Sequence, residues 1–484
     1  MKNLSKITIL FLVFFGLTSC EDDFLDRPPI LEESRELVLR NFTGMNNATI
    51  GLYAEFYHSS WYGAAFPIIT DLKSDNGKAS PLSSGRYQQN YNWNQDPSQT
   101  MSGLWFRAYR SITSASNIIN AAGDVELLPG QQQAWVDHLV AEAKFIRALA
   151  HFDLVRVFAQ PYTHQPNSLG VPVITVTRIG EPARNTVAEV YEQIENDLTD
   201  AIAKFSDDAN AFYNAHRQGS TNLKGYASKN AARALMARVK LYKGEYTEAA
   251  EYATQIINAQ VQNQPAYQLY TAANFMDAWG TNGASEIIFE IFGSTGNGNW
   301  PSWEEIGYLY YPGGSYGDVC ASNAHISLYD PADVRLGIFE EPASHPGYFW
   351  PTNKYPGKAD GNRRDNNIPI LRLSEMYLIR AEARLNGAAG SAADDLNAIR
   401  ERRGITPISN PTMDDIFDER RRELAFEGHT LFDYARLGRT LEREDEDNRL
   451  TGPTTIPFPS HLWAMPIPIG EMEANPNMEQ NPGY

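Results

Sequence analysis

The sequence predicts a mainly α-helical protein whose helices pair as hairpins, with a loop-rich part and minor β structure. Three observations predict it. Long stretches repeat apolar residues at steps of three and four, small residues recur where paired helices would touch, and one short run, SEIIFEIFG, alternates as a strand would. With 484 residues, 42% of them hydrophobic, the chain can bury a large core as one domain or two closely packed ones.

The chain opens MKNLSKITILFLVFFGLTSCEDD, with Lys2 and Lys6 ahead of an apolar run from Ile7 to Leu17. At a rise of about 1.5 Å per residue that run is too short to span a bilayer. It reads as an export leader over residues 1–19. Leu17-Thr18-Ser19-Cys20 has the form of a bacterial lipobox, so Cys20 is the expected lipidation site and first mature residue. Acyl chains on one cysteine anchor stably, each buried CH₂ contributing about 0.8 kcal/mol. A plain secretory signal with an incidental cysteine is the rival reading. The other cysteine is Cys320, and with Cys20 lipidated no intrachain disulfide forms. Residues 20–30 are acidic and then proline-bearing, a tether between lipid and fold.

Residues 31–259 form the N-terminal helical part. From Leu31 to Tyr57, residues Met45, Ile50, Leu52, Tyr53 and Phe56 share one broad face. The pattern fails from Asp71 to Thr100, a Ser-, Asn-, Gln- and Gly-rich stretch that predicts a long loop, functional or mobile. Trp105 to Ala122 and Trp135 to Phe158 are amphipathic helices, the second ended by Pro161. GVPVITVTRI suggests extended chain, and Thr186 to Phe205 returns to helix, with Thr186 as N-cap and Glu189 as its capping-box partner. Ala227 to Ala259 is similar to a tetratricopeptide hairpin, with Ala234 and Ala237, then a glycine turn at Gly244, then Ala249 and Ala253. Looser copies stand around Ala143, Ala148 and Phe152, and around Ala381, Ala383, Gly387, Ala393 and Leu396. Their intervals far exceed about 34 residues, so insertions interrupt the array. The largest, residues 260–367, is a variable insert rich in Gly, Pro, Asn and aromatics. Residues 368–484 are C-terminal helices, at Pro369 to Arg403 and Met413 to Leu437, and a Pro-rich tail, completing one compact unit from 31 to 484.

Formal net charge is −18, and −20 once Lys2 and Lys6 leave with the leader. That field repels phosphate backbones and anionic headgroups, which excludes nucleic acid as a partner. HExxH, paired CxxC, GxSxG and P-loop motifs are missing from the sequence. No cofactor is expected. Asp71 with Asp75, or Asp330 with Asp333, offers oxygens to a structural calcium, but the spacing is not that of an EF-hand and a solvated loop is the preferred reading. Arg420, Arg421, Arg422, Glu423, Glu427, His429, Asp433 and Arg436 resemble a catalytic constellation; a buried structural network of arginines and carboxylates is the stronger reading.

Several stretches, in order, resemble the SusD/RagB family of outer-membrane nutrient-binding lipoproteins. They are SCEDDFLDRPP, AEAKFIRALAHFDLVRVFAQPYT, LYKGEYTEAAEYA, PILRLSEMYLIRAEARLNG, ERRRELAFEGHTLFDYARLGR and MPIPIGEMEANPNMEQNPGY. The resemblance implies a SusD-like helical fold with tetratricopeptide-like hairpins, no catalysis, and a SusC-like TonB-dependent transporter as partner. It also implies a lipid-anchored, exterior-facing place on the outer membrane, with the acids after Cys20 as its address. The ligand it implies is an oligosaccharide or polysaccharide. Aromatic rings stack on the C–H faces of sugars, which makes Trp300, Trp303, Tyr308, Tyr310 and Tyr311 the first candidates; a hydrophobic cluster pinning the loop is the alternative. Trp93 and Tyr91, with Asn92 and Asn94 as hydrogen-bond donors, come second by position, and Trp350 with Tyr348 third. Three rival functions remain: a peptide-binding member of the same family, a structural repeat scaffold that recruits other lipoproteins, and a helical glycoside hydrolase, which needs two carboxylates about 5–10 Å apart across a cleft.

Overall fold

A computed structural model describes residues 35–217, 222–293, 304–312, 316–344, 346–358, 361–444 and 448–484. Cys20, the leader and the tether lie outside the described residues, as do Trp300 and Trp303. The main helices are α1 (Phe42–Phe56), α2 (Ser102–Ala121), α3 (Gln133–Phe158), α4 (Val187–Lys204), α5 (Lys229–Lys243), α6 (Tyr246–Ile257), α7 (Leu373–Leu385), α8 (Ala392–Arg400), α9 (Met413–Glu423) and α10 (Thr430–Arg436). From α2 to α8 each helix packs on the next in chain order, an array of antiparallel hairpins. The array is continuous in space although more than a hundred residues separate α6 from α7. Ala250 of α6 meets Ala383 and Ala388 at that joint, small residues letting the two backbones approach.

Local chemistry accounts for the ends. Ser228 caps α5, and Gly244 at φ 76° closes it, its left-handed backbone letting the Glu245 N–H reach the Lys240 carbonyl. Thr186 and Glu189 form a complete capping box at the start of α4. Thr186→Ala is expected to cost about 1 kcal/mol, read as a lower urea midpoint at unchanged slope.

Helix α3 departs from the expected amphipath. From Val136 to Phe158 every residue except Asp137 and Lys144 is buried, so the helix runs through the core and apolar residues surround its axis. Its charges are paired inside. Arg147 donates to both oxygens of Asp197 at 2.8 and 2.6 Å, and Glu142 accepts from Arg217 at 3.0 Å and Tyr53 at 2.5 Å.

Four strands tie distant segments together: β1 (Gly77–Ala79), β2 (Ile287–Ile291), β3 (Val319–Ala321) and β4 (Ile368–Arg372). β2 and β4 pair antiparallel, so a strand inside the insert lies beside the segment that follows it. The alternation expected of SEIIFEIFG hid its surroundings: all five residues of β2 are buried, polar Glu290 included. β1 pairs with β3, which stitches the early polar stretch to the insert, with Lys78 opposite Cys320.

The remaining differences from the sequence reading have local causes. Asp71 to Thr100 is no free loop, since it holds β1 and a helical turn at Gln88–Tyr91, and residues 71–80 and 90–93 are mostly buried. Residues 170–179 are irregular rather than extended, held to helix α2 by bonds such as Asn120 Nδ2 to the Thr175 carbonyl. The helix expected from Met413 to Leu437 is two, α9 and α10, because Phe426 and Gly428 between them adopt positive φ. Among the described residues no helix is long and apolar enough to cross a membrane.

Candidate binding face

The β1–β3 pairing places the early stretch beside the insert, and the candidate site is built on that seam. Asp318, just before β3, is 1% exposed and accepts the Ser84 N–H and hydroxyl, each at 2.8 Å. It also takes Arg86 Nη1 at 3.2 Å, while Arg86 Nε bonds Glu304 at 3.0 Å. Held from both ends, the Arg86 guanidinium lies 5.1 Å from the Tyr316 ring centre. Tyr316 in turn sits 5.8 Å from Tyr308. All three side chains are half-buried, so Arg86, Tyr316 and Tyr308 form a series of planar groups, each partly exposed, with the two rings tilted 41° to one another.

A second layer adjoins it. Arg363 lies 3.7 Å over the Tyr311 ring, and the Tyr311 hydroxyl donates to Glu340. Burial first, then Glu340, raises the Tyr311 pKa and keeps the phenol protonated. Trp350, half-buried, donates its indole N–H to Asn323 at 2.8 Å and pairs across an isolated bridge with Ala321 of β3. Tyr348 has the Lys78 ammonium 5.7 Å from its ring.

Other expected platforms lie inside the protein. Tyr310 is fully buried, its hydroxyl on Asp71 and its ring between Tyr355 and Phe426. Trp93 is 4% exposed under the Lys73 ammonium, 3.4 Å from the ring centre, and edge-on to Trp463. Tyr91 and Asn92 are buried too, Asn92 accepting from Gln88 and the Thr451 N–H. Of that group Asn94 alone is exposed, bonded to Gln89. The burial of Tyr310, Trp93, Tyr91 and Asn92 corrects the expectation that they face a ligand. Their polar, aromatic neighbourhood in sequence did not reveal the distant side chains that cover them. Arg86 and Tyr316 were missed. Tyr316 stands in the PGGSYGD run that directly follows Tyr308, Tyr310 and Tyr311, and that closeness in sequence is the available signal.

The suspected catalytic constellation is a buried ionic network. Glu423, Glu427 and Glu286 receive Arg372; Glu423 also receives Arg335 and Arg403; Lys354 bonds Glu427. Arg436 joins Glu382 and Asp433, and Arg420 also joins Asp433. The carboxylates suggested for calcium are engaged as well. Asp71 accepts from Tyr310, Asp75 pairs with Arg421 at 2.7 Å, and Asp330 and Asp333 accept backbone N–H groups of Ala332 and Arg335. Among the described residues no three His, Cys, Asp or Glu side chains gather as metal ligands.

Comparison with known proteins decides the family. Residues 198–484 match the SusD family model. The chain belongs to the SusD family. Residues 23–241 match a second model, described as starch-binding associating with outer membrane. SusD-like protein P2 of Formosa agariphila is 28% identical, the match covering 99% of each chain. A SusD superfamily protein from Bacteroides vulgatus superposes with a TM-score of 0.80 at 32% identity, covering 92% of this chain and 99% of that one. The starch-binding protein SusD of Bacteroides thetaiotaomicron is 32% identical over 28% of this chain and 25% of its own. The SusD fold thus agrees with the helical class the sequence predicts.

Proposed function

We propose that this SusD-family protein is a lipid-anchored binder on the exterior of the outer membrane. It captures an oligosaccharide and delivers it to a SusC-like TonB-dependent transporter. One observation carries the reading: the seam between early stretch and insert fixes Arg86, Tyr316, Tyr308 and the Arg363–Tyr311 pair as open planar groups. Sugar C–H faces stack on the rings, and the neighbouring guanidinium and carboxylate groups exchange hydrogen bonds with ring hydroxyls. The starch-binding relative and the starch-binding family description support the same ligand class. Trp350 stands at the edge of this face. Trp300 and Trp303 belong to the same insert and join the proposed set by sequence position. Cys20 is the proposed lipid attachment, with Glu21, Asp22 and Asp23 beside it.

The acids of the Arg420–Arg436 segment are held in the buried network, and capture needs no bond cleavage. The mature chain carrying Cys20→Ser in place of the lipid is expected to bind glycans on an array, without releasing shorter products on long incubation. The double variant Tyr308→Ala, Tyr316→Ala is expected to weaken that binding about 30-fold, from about 1 kcal/mol for each ring. Binding to peptides alone, or a carboxylate-dependent cleavage product, would sink the proposal.

A further inference from the structure

Away from the insert face, α2 carries a second concavity. Arg110, Ser114 and Asn117, at i, i+4 and i+7 on one side of that helix, divide two lobes and line both. The larger lobe, about 570 Å³, has Phe106 on one wall and Glu471 from the C-terminal tail on another. The smaller, about 340 Å³, lies between α1 and α2 over Gly51. Each falls within the range of about 300–1,000 Å³ usual for ligand sites.

Gly51 is the informative residue. It lies inside the 15-residue helix α1, where glycine costs about 1 kcal/mol relative to alanine. Its φ is not positive, and a Cβ built there meets nothing within 4 Å. Neither backbone geometry nor close packing therefore requires a glycine, and what the missing side chain does is leave the lobe floor open. Phe106 is equally out of place as a structural residue, with its side chain 60% exposed at the mouth of the other lobe.

We propose that this double groove is a second binding site, taking a segment of neutral oligosaccharide independently of the insert face. Sugar hydroxyls both donate and accept, and the lining answers both ways: Arg110 donates, Glu471 accepts, and Ser114 and Asn117 do either. Phe106 supplies a ring for a C–H face. Glu55 is shared by Arg110 at 3.2 Å and Arg107 at 3.0 Å, and with Glu471 opposite the charges balance, which suits a neutral ligand. Burial raises the Glu471 pKa against a hydrogen bond from the Trp105 side chain, which marks the carboxylate as partly withdrawn from water. The proposal rests on the glycan reading of the insert face, and two sites on one polymer would add avidity.

Calorimetry on the Cys20→Ser mature chain with laminarihexaose and maltohexaose, alongside a glycan array, tests it. Two hexaose molecules are expected per protein, falling to one with Phe106→Ala or Gly51→Trp while the remaining affinity is unchanged. The Tyr308→Ala, Tyr316→Ala variant should weaken the other site about 30-fold and leave the groove's affinity unchanged. Gly51→Ala should keep both sites and raise the melting temperature, since its methyl enters open space. A single site untouched by Phe106→Ala and Gly51→Trp overturns the groove and leaves the insert-face reading standing. A single site lost with Phe106→Ala but not with the tyrosine pair does the reverse. Binding to neither hexaose nor any arrayed glycan, or displacement of peptide rather than sugar by Gly51→Trp, overturns the proposal.

Discussion

Glu423→Ala is expected to lower the unfolding free energy by about 3–5 kcal/mol, the usual cost of removing one partner from a buried ion pair. The residue ends α9, and its two oxygens gather three arginines from separate parts of the chain. Arg372 and Arg403 reach Oε1 at 2.8 and 2.7 Å, and Arg335 and Arg403 reach Oε2 at 2.9 and 3.0 Å. All four side chains are at most 1% exposed, so water cannot replace the lost acceptor. Arg335 comes from the insert, Arg372 ends β4, and Arg403 follows α8, so one carboxylate fastens the insert to the hairpin array. Urea unfolding reads the loss as a lower midpoint at unchanged slope. A change below about 1 kcal/mol, the level of an exposed pair, would show that the neighbouring carboxylates suffice without it.

The same residue predicts acid sensitivity. Burial would raise the Glu423 pKa, but Arg403 and Arg372 outweigh it and hold the carboxyl well below the usual range. A depressed folded pKa contributes stability that is present above the unfolded value of about 4.3 and is lost as pH falls through the folded one. Wild-type protein should therefore lose stability steeply below about pH 4, and Glu423→Ala should show less of that slope.

What could be read from sequence was what is local. Capping boxes, glycine turns and the three- and four-residue periodicity of α2 to α8 operate within a few residues, and those elements appeared where expected. Helix α3 was misjudged because Arg147 and Glu142 look like surface charges until Asp197 and Arg217 arrive from 50 and 75 residues away. The candidate face depends on a strand pair whose partners, Lys78 and Cys320, have no local signal for meeting. That pairing selects Tyr316 and Arg86 as outward groups and sends Tyr310 inward. Aromatic content marked the insert as a candidate region; which of its rings are buried was decided by contacts across hundreds of residues.

Asp71→Asn is expected to stabilise the protein at pH 8 by about 4 kcal/mol and to change little at pH 4. Asp71 is the penultimate residue of the helix Ala65–Leu72, 1% exposed, and its Oδ2 accepts the Tyr310 hydroxyl at 2.6 Å. Its other oxygen is buried with no hydrogen-bond partner. Burial raises its pKa from 3.8 to about 7, with the Tyr310 bond and Lys354 pulling the other way and Glu427 adding to the rise. Between those two values the folded protein keeps a proton that the unfolded chain has released, so stability falls as pH rises through the window and is lowest above it. Asparagine is neutral throughout and its carbonyl can still accept from Tyr310, so the advantage over wild type should grow from pH 4 to about pH 7 and then level off. Urea midpoints of both proteins at pH 4, 5.5 and 8 measure this directly, and a difference that does not vary with pH would sink the assignment. The ionisation bears on the binding face as well. Tyr310 lies one residue from Tyr311 and two from Tyr308, so the buried Asp71–Tyr310 pair underlies the segment that carries those two proposed ligand contacts.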